Sequence, residues 1–289
     1  MLTVKEALRR AGQILKESGA GTPALDAAVL LGHVTGRSRA GLYRDWERVL
    51  PPEEEARFLA MIARREAGEP VAYLTGHKEF MGLDFTVNNS VLIPRPETEL
   101  LVEKAIQLAG TDCVIVDVGT GCGAIAVSLA VFLQRVEVYA TEQSPGALDV
   151  ARLNAVKQGV ERRVSFFQGD LLAPLAGLDL AGRVDLITAN LPYIATHEIS
   201  TLAREVRLYE PVAALDGGAD GLELYRRLIP AAADMLKPGG RLLIEIGCGQ
   251  RDAVVNLLSP PLWETMVLKD LAGLDRLAVG RLLTSPTRR

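Results

Sequence analysis

The sequence has little cysteine and no paired spacing of metal-binding residues. It contains three cysteines, Cys113, Cys122 and Cys248, and neither a Cys-x-x-Cys nor a His-x-x-x-His pattern. Zinc sites and disulfide frameworks need such pairs or larger even sets of ligands. The sequence therefore predicts no metal site and three reduced thiols, as is usual in a cytoplasmic protein.

The sequence also has no long basic block and no long apolar run. Its net charge is −4 and its pI is near 5.6, whereas proteins that bind bare nucleic acid are usually more basic. No apolar stretch approaches the length of a membrane span. The amino-terminal "MLTVKEALRRAGQILKESG" has apolar residues at helical spacing in place of a secretory signal. We expect a cytoplasmic protein with no direct contact to nucleic acid or membrane.

Helix signals dominate the first 75 residues. Thr22 and Pro23 are typical of a helix start, and Gly36 is typical of a helix end. The next stretch, residues 76–96, alternates apolar and polar residues around "NNS", which predicts a β-hairpin. We therefore expect a helical domain at residues 1–75, a β-hairpin linker at 76–96 and a further domain at 97–289.

From residue 97 onward, helical and strand patterns alternate. Short, nearly continuous apolar strands such as "CVIVDVG" and "VDLITAN" are typical of a parallel sheet that is covered on both faces. A "KPGG" turn precedes the strand "RLLIEIG". The last two strands are joined only by "AGLD" and must pair antiparallel, because a parallel return needs a long crossover. This α/β pattern, a mostly parallel seven-stranded sheet with a C-terminal antiparallel hairpin, resembles the S-adenosylmethionine-dependent methyltransferase fold.

A glycine loop follows the first strand of this sheet. "VDVGTGCGAIA" places Gly119, Gly121 and Gly123 between a strand and a helix, where bare backbone can approach a ligand. Gly119, Gly121 and Ala124 also satisfy the dinucleotide pattern G-x-G-x-x-A, and Glu142 ends the next strand, where a ribose-binding acid is expected. Both NAD and S-adenosylmethionine fit these residues.

Asp117 favours the methyltransferase interpretation. An acid two residues before the first glycine resembles the pattern D/E-x-G-x-G-x-G, and its carboxylate would face the ammonium group of the donor or nearby waters. Leu171, after "QGD", lies where the wall of an adenine pocket belongs.

The stretch Asn190-Leu191-Pro192-Tyr193, here called the NLPY stretch, ends the fourth strand of the sheet. Ligands of open α/β sheets bind at this carboxyl edge. The stretch resembles the N-P-P-Y motif of methyltransferases that act on planar amino groups, such as a glutamine amide or an adenine amine. Two acceptors, Asn190 Oδ1 and the Leu191 carbonyl, could hold both N–H bonds of such a group, and Tyr193 could pack on its flat face. Positioning would then supply most of the catalysis.

Three further stretches resemble one family over essentially the whole chain. "EPVAYLTGHKEFMGLDFTVNNSVLIPRPETELLVE" resembles the linker of the release factor glutamine N5-methyltransferases, the HemK-type or PrmC family, and "VLIPRPETE" is its most specific part. "YEPVAALDGGADGLELYRRLI" and "DLAGLDRLAVGR" match the same family.

The resemblance implies a reaction, a cofactor and a partner. Such enzymes use S-adenosyl-L-methionine, leave S-adenosyl-L-homocysteine, and methylate the glutamine amide of the Gly-Gly-Gln motif in class 1 peptide chain release factors. The helical domain would dock the factor, and the enzyme is expected to be a monomer. The donor would be bound by the loop and the residues around it: Asp117, Gly119, Thr120, Gly121, Cys122, Gly123, Glu142, Leu171 and Asn190.

The substrate glutamine would be held by the NLPY stretch, with Asn190, Pro192 and Tyr193 as the catalytic residues and Leu191 completing the wall. Arg95, Pro96 and Glu97 would line the entrance, although a surface salt bridge between Arg95 and Glu97 is an alternative. These roles are carried over from the family by position.

Two residues depart from the family pattern. Leu191 replaces the usual proline, so Asn190 loses the restriction that a following proline imposes. Glu142 replaces the common aspartate, and its longer side chain should still reach a ribose.

Three other functions compete with this interpretation. N-L-P-Y also resembles the motif of ribosomal RNA adenine N6-methyltransferases, against which stand the acidic pI, the helical domain and "IPRPETE". A module that holds the donor without catalysis would not need Asn190. A dehydrogenase would not explain the NLPY stretch, and no His or Tyr–Lys pair offers a hydride-transfer acid.

Overall fold

Five helices precede residue 77 in the computed structural model, which describes residues 1–284. Thr3 starts the first helix with a capping box, in which its side chain and that of Glu6 each accept a backbone N–H of the other residue. Thr22 occupies the N-cap of the second helix, but its hydroxyl donates to Asp26 instead of capping the backbone. The predicted helical region is confirmed. The helices are α1 (Val4–Glu17), α2 (Pro23–Thr35), α3 (Arg39–Arg44), α4 (Pro52–Glu66) and α5 (Val71–Thr75).

The turn of the following hairpin differs from the sequence prediction. The strands are β1 (His77–Phe80) and β2 (Leu83–Thr86), so the turn lies at Met81 and Gly82, and "NNS" follows the second strand. Both turn residues have positive φ, 54° and 70°, as a tight two-residue hairpin turn requires, and glycine adopts that conformation without strain. The prediction of a hairpin centred on "NNS" was therefore wrong.

A seven-stranded sheet forms the centre of the remaining chain. Its strand order is β5-β4-β3-β6-β7-β9-β8, with antiparallel pairs only between β7 and β9 and between β9 and β8. The predicted α/β fold and its C-terminal hairpin are confirmed. Its strands are β3 (Cys113–Val118), β4 (Val136–Glu142), β5 (Val164–Gln168), β6 (Val184–Ala189), β7 (Leu236–Glu245), β8 (Trp263–Lys269) and β9 (Asp275–Leu282).

Helices and short turns connect these strands. The helices are α6 (Glu99–Leu108), α7 (Ala124–Phe132), α8 (Pro145–Lys157), α9 (Arg204–Tyr209), α10 (Glu223–Met235) and α11 (Arg251–Leu257). The 3-10 turns are Pro96–Thr98, Ala173–Leu175, Thr196–Thr201 and Val212–Ala214. Within residues 1–284, no helix has the length and apolar character that crossing a membrane requires.

The "KPGG" stretch does not form the expected separate turn. Strand β7 begins at Leu236 and continues through it, while the register shifts between the pairs Val184–Leu236 and Leu186–Arg241. Residues 237–240 therefore form a bulge in β7, and pairing with β6 resumes at Arg241.

The chain forms two compact units. The first contains Met1–His77 and also Leu202–Tyr209, and the second contains Lys78–Thr201 and residues 210–284. The hairpin that the sequence analysis treats as a linker thus lies almost wholly in the second unit. In the first unit, buried side chains of α1, α2 and α4 form most of the core. Arg65 makes a buried ion pair with Asp26 (2.8 Å) and a second ion pair with the partly exposed Glu205 (2.7 Å).

Candidate functional site

The second unit contains a cavity of about 400 Å³ at the carboxyl ends of β3, β4 and β6. Most of the site residues predicted from the sequence lie on its wall: Arg95, Gly119, Thr120, Gly121, Cys122, Glu142, Leu171, Asn190, Leu191 and Pro192. The other predicted residues are not on the wall: Pro96, Glu97, Asp117, Gly123 and Tyr193. The structure therefore joins the glycine loop (Gly119–Gly123) and the NLPY stretch at one cavity.

The glycine loop packs directly against the NLPY stretch. A Cβ on Gly119 would lie 2.8 Å from Leu191 Cδ2, so this position admits no side chain without displacing Leu191. A Cβ on Gly123 would lie 3.3 Å from both Cα and Cβ of Ala151, so this glycine lets the loop pack closely on α8. A Cβ on Gly121 would meet nothing within 4 Å, which leaves open space beside the backbone of a cavity-lining residue.

Glu142 is oriented by backbone groups at the end of β4. Its Oε2 accepts a hydrogen bond from Gly121 N (2.9 Å), and its Oε1 accepts one from Ser144 N (2.9 Å). Each carboxylate oxygen has a second lone pair. Glu142 can therefore accept hydrogen bonds from two vicinal hydroxyls, such as those of a ribose, without losing the contacts that hold it.

Asp117 lies on β3 beneath the glycine loop and is completely buried. Its Oδ1 accepts a hydrogen bond from Thr188 Oγ1 (2.7 Å), while Oδ2 has no partner within the described residues. Burial raises the pKa of Asp117 to about 6. Asp117 is not on the cavity wall, and the expected contact of its carboxylate with a donor ammonium stays a prediction.

Asn190 has one end of its amide held and the other free. Its Nδ2 donates to Thr98 Oγ1 (3.1 Å), and Oδ1 accepts no hydrogen bond from residues 1–284. The Leu191 carbonyl lies 3.4 Å from the Tyr225 hydroxyl, but that hydroxyl approaches the Glu245 carbonyl more closely and has one proton to donate. Both proposed acceptors of the NLPY stretch thus retain accepting capacity.

Tyr193 points its hydroxyl at Glu245. The hydroxyl donates to Glu245 Oε1 (3.2 Å), and burial, together with the nearby Glu245 charge, raises the pKa of Tyr193 to about 12. The ring packs against the buried core of the second unit. Tyr193 is not on the cavity wall, and its packing on the flat face of a substrate stays a prediction.

A second glycine-rich loop, residues 216–221, packs against the NLPY stretch and the residue after it. Ile194 N donates to Leu215 O (3.1 Å), and Gly217 N donates to Ile194 O (2.8 Å). A Cβ on Gly221 would collide with the Tyr193 carbonyl, which also accepts from Gln250 Nε2 (2.9 Å). Sequence reasoning used "DGGADG" only as part of a family match, although three glycines in six residues already signal a close backbone approach.

Arg95 is held by a buried carboxylate. Its guanidinium pairs with Glu210 Oε1 (2.5 Å), and Glu210 Oε2 accepts from Ile93 N (3.2 Å). The alternative of a surface salt bridge between Arg95 and Glu97 was therefore wrong about the partner. Glu97 is exposed, while Arg95 lies on the cavity wall.

Asn154 on α8 was missed by the sequence reasoning. Its fully buried amide accepts from Thr86 N (2.8 Å) and donates to Thr86 O (2.9 Å) and to Cys122 O (2.9 Å). One side chain therefore ties the second hairpin strand to the glycine loop. An asparagine on a predicted helix has no local signal for this role.

The residues around the loop fit the adenosine and amino acid parts of S-adenosylmethionine. Glu142 offers a carboxylate for the ribose, and the buried Asp117 Oδ2, Thr120 Oγ1 and Thr141 Oγ1 lack hydrogen-bond partners within the described chain. Buried polar atoms are rarely left unpaired, so a polar ligand or water is needed here. Residues 1–284 contain no group of three or more His, Cys, Asp or Glu placed to hold a metal ion.

The sheet order, the glycine loop and the polar end of the fourth strand define an S-adenosylmethionine-dependent methyltransferase. A family model described as "Methyltransferase domain" matches residues 110–271. The fold is shared with a solved methyltransferase from Pyrococcus furiosus, with a TM-score of 0.52, 19% identity, and coverage of 80% of this chain and 98% of that chain.

The chain belongs to the family of release factor glutamine methyltransferases. It is 42% identical to the release factor glutamine methyltransferase of Geobacter sulfurreducens over 97% of each chain. It is 47% identical to that of Moorella thermoacetica over 95% of this chain and 97% of the relative. The "PrmC N-terminal domain" model matches residues 6–76. These matches do not favour the alternative of an RNA adenine methyltransferase.

Proposed function

We propose that this protein transfers a methyl group from S-adenosyl-L-methionine to the side-chain amide nitrogen, N5, of the glutamine in the Gly-Gly-Gln motif of class 1 release factors. The observation that carries the proposal is the free Oδ1 of Asn190 on the wall of a cavity shared with the glycine loop. An acceptor at that place suits a planar NH₂ group. The near full-length similarity to release factor glutamine methyltransferases supports a release factor as the macromolecule that carries this group.

The donor site in this proposal consists of the glycine loop and its neighbours. The fold and the domain family imply use of S-adenosylmethionine, which supplies an electrophilic methyl group when bound. Glu142 would accept from the ribose hydroxyls, and the backbone at Gly121 would let the donor approach closely. Leu171 lines the same cavity and would contact the adenine.

The substrate site consists of the NLPY stretch. An amide nitrogen is a poor nucleophile because its lone pair is delocalised, and a base would help little before transfer because the proton is only weakly acidic. Asn190 Oδ1 and the Leu191 carbonyl would instead accept the two N–H bonds and turn the nitrogen toward the methyl group. Positioning of this kind can supply most of a rate enhancement. After methylation, the nitrogen loses a proton.

The substitution of leucine for proline at position 191 is compatible with this role. The acceptor is a backbone carbonyl, which any residue provides, and the Leu191 side chain is buried and packs against the position of Gly119. The packing of Leu191 restricts the conformation of the NLPY stretch. A proline at position 191 would instead have restricted the backbone of Asn190 directly.

The helical unit would dock the release factor, and Arg95 would line the entrance to the cavity. The proposal includes a cytoplasmic location, because peptide release takes place there, and a monomeric state, which light scattering coupled to size-exclusion chromatography measures.

A methyl-transfer assay with labelled S-adenosylmethionine tests the proposal. The acceptors are a purified release factor, the same factor with the glutamine of Gly-Gly-Gln changed to alanine, and unmodified ribosomal RNA. We expect label on the intact factor alone. Label on the RNA alone would overturn the glutamine assignment and would make the NLPY stretch an adenine site.

A further inference from the structure

Two buried residues, Thr98 and Glu245, continue a hydrogen-bonded network that starts at the half-buried Asn190. Asn190 Nδ2 donates to Thr98 Oγ1 (3.1 Å), and Thr98 Oγ1 donates to Glu245 Oε2 (2.6 Å). Glu245 and Thr98 are almost completely buried, with 2% and 4% of their surface exposed. Thr98 also lies on the cavity wall, whereas Glu245 does not, which places Glu245 behind Thr98.

The direction of the hydrogen bonds in this network follows from counting protons. A carboxylate has no proton to give, and a threonine hydroxyl has one. The proton of Thr98 must therefore point at Glu245, which leaves only lone pairs for Asn190. The group of Asn190 that faces Thr98 must then be its NH₂, and its carbonyl oxygen Oδ1 must face the other way.

Burial outweighs the groups around Glu245 and leaves its pKa above the ordinary value. Burial raises the pKa of this carboxyl group, while the hydrogen bond from Thr98, the charge of Arg276 and the hydrogen bond from Tyr193 act in the opposite direction. The proton count applies to the ionised carboxylate, so the measurements on this network are made at alkaline pH.

We propose that Thr98 and Glu245 are positioning residues that hold the Asn190 amide in one orientation, with Oδ1 presented to the N–H bond of the substrate amide. Without them, the two ends of the asparagine amide could exchange places, and a flipped Asn190 would present two more donors to a group that is itself a donor. A flipped amide would hold the substrate nitrogen away from the methyl group. The inference rests on the proposed function for the identity of the substrate amide, but the orientation of Asn190 can be measured without any substrate.

The first experiment observes the Asn190 amide directly in the free protein. Selective ¹⁵N labelling of asparagine, with Asn190→Ala to assign the resonance, gives the Nδ2 signals of this residue by NMR at mildly alkaline pH. We expect one sharp pair of signals in the wild type. In Thr98→Val, which removes the hydroxyl and keeps the shape, the pair should shift and broaden. Unchanged signals in Thr98→Val would overturn the proposal, whatever the protein methylates.

The second experiment measures turnover with the release factor. Thr98→Val should lower kcat about 10- to 100-fold, with KM and donor affinity changed much less, and Thr98→Ser, which restores the hydroxyl, should recover most of the rate. Thr265→Val is the matched control, because Thr265 also donates a hydroxyl hydrogen bond, to Leu258 O, but lies on the edge strand β8. This control should keep the wild-type kcat. Equal losses of kcat in Thr98→Val and Thr265→Val, or no rescue by Thr98→Ser, would refute a positioning role.

A double-mutant cycle tests whether Glu245 acts through Thr98. Glu245→Gln removes the negative charge that directs the hydroxyl proton, so it should lower kcat in the wild-type background. In the Thr98→Val background, the same change should lower kcat much less, because the connection to Asn190 is already absent and only the contact of Glu245 with the Tyr193 hydroxyl is left. Additive losses of kcat would contradict a connection from Glu245 through Thr98 to Asn190. If the wild type transferred no methyl to the factor, the proposed function would fail, and the NMR result would still decide this inference.

Discussion

Replacing Asn154 by aspartate is the sharpest test of how the glycine loop is supported. The introduced carboxylate keeps the acceptor for Thr86 N but replaces the NH₂ group that donates to Thr86 O and to Cys122 O, each at 2.9 Å. Two carbonyl oxygens would lose their donor and would face an oxygen in its place. Asn154 itself is completely buried, so water cannot easily compensate.

The magnitude follows from these contacts. Each buried acceptor left without a partner costs about 1–3 kcal/mol, and an unpaired buried charge costs about 3–5 kcal/mol. These costs overlap, because the introduced group can avoid the charge by taking up a proton and can then satisfy one carbonyl. We expect Asn154→Asp to lower the free energy of unfolding of the second unit by about 3–5 kcal/mol at neutral pH.

The pH dependence of this loss has a definite sign. Burial and two facing carbonyls raise the folded-state pKa of the introduced carboxyl above its unfolded value of about 3.9. The loss should therefore be smallest below that unfolded pKa and should grow as the pH rises through the folded pKa. Loss of the hydrogen bond to Cys122 O in the glycine loop should also weaken donor binding.

Equilibrium urea unfolding measures the effect. A Trp46→Phe background leaves Trp263, which is buried in the second unit, as the fluorescent reporter. Gln158→Glu is the matched control, because the partly exposed Gln158 side chain at the end of α8 donates to Asp84 O (2.9 Å). This variant should lower the free energy of unfolding by less than about 1 kcal/mol. A loss in Asn154→Asp no larger than in Gln158→Glu, or one independent of pH, would refute the reasoning.

Four further changes have definite expected outcomes. Asn190→Ala should lower methyl transfer at least about 100-fold with an unchanged circular dichroism spectrum, and full methylation would exclude the acceptor role. Gly121→Val should weaken donor binding in calorimetry at least about tenfold, because the side chain would fill the open space beside the loop; tight binding would contradict this. Gly221→Ala should lower both kcat and unfolding free energy more than Gly249→Ala, since both positions have positive φ but only the first meets a neighbouring carbonyl; equal effects would argue against the collision. The unfolding free energy of the wild type relative to Asp117→Asn should fall by about 2.4 kcal/mol as the pH rises from 4 to 7, because the folded pKa of about 6 lies above the ordinary 3.8. Parallel pH profiles would show that the pKa of Asp117 is not shifted.

Patterns that are local in sequence predicted the corresponding parts of the structure correctly. Strand–helix alternation from residue 97, the glycine loop between β3 and α7, and the polar end of β6 each depend on neighbours along the chain, and the structure contains all three. The "NNS" hairpin was misplaced because alternation of apolar and polar residues continues on both sides of Met81 and Gly82. The turn depends on two consecutive positive φ angles, which alternation does not report.

The contacts that orient the candidate site could not be predicted from local sequence patterns. Thr98 is 92 residues from Asn190 and 147 residues from Glu245, and Asn154 is 68 residues from Thr86. Nothing in a threonine before a helix or a glutamate at the end of a strand specifies its partner. The glutamate partner of Arg95 was misassigned for the same reason, because Glu97 is near in sequence and Glu210 is near in space.

The sequence by itself determined the class of the protein, because backbone propensity and side-chain periodicity act over a few residues and recur in every member of a fold. It also determined which residue types stand at the carboxyl edge of the sheet, since strand ends are set by where apolar runs stop. Only the tertiary structure decided which way the Asn190 amide faces, what holds the glycine loop and which carboxylate pairs with Arg95. These features depend on hydrogen bonds and charges between distant segments of the chain, which come together only when the sheet and its helices have formed.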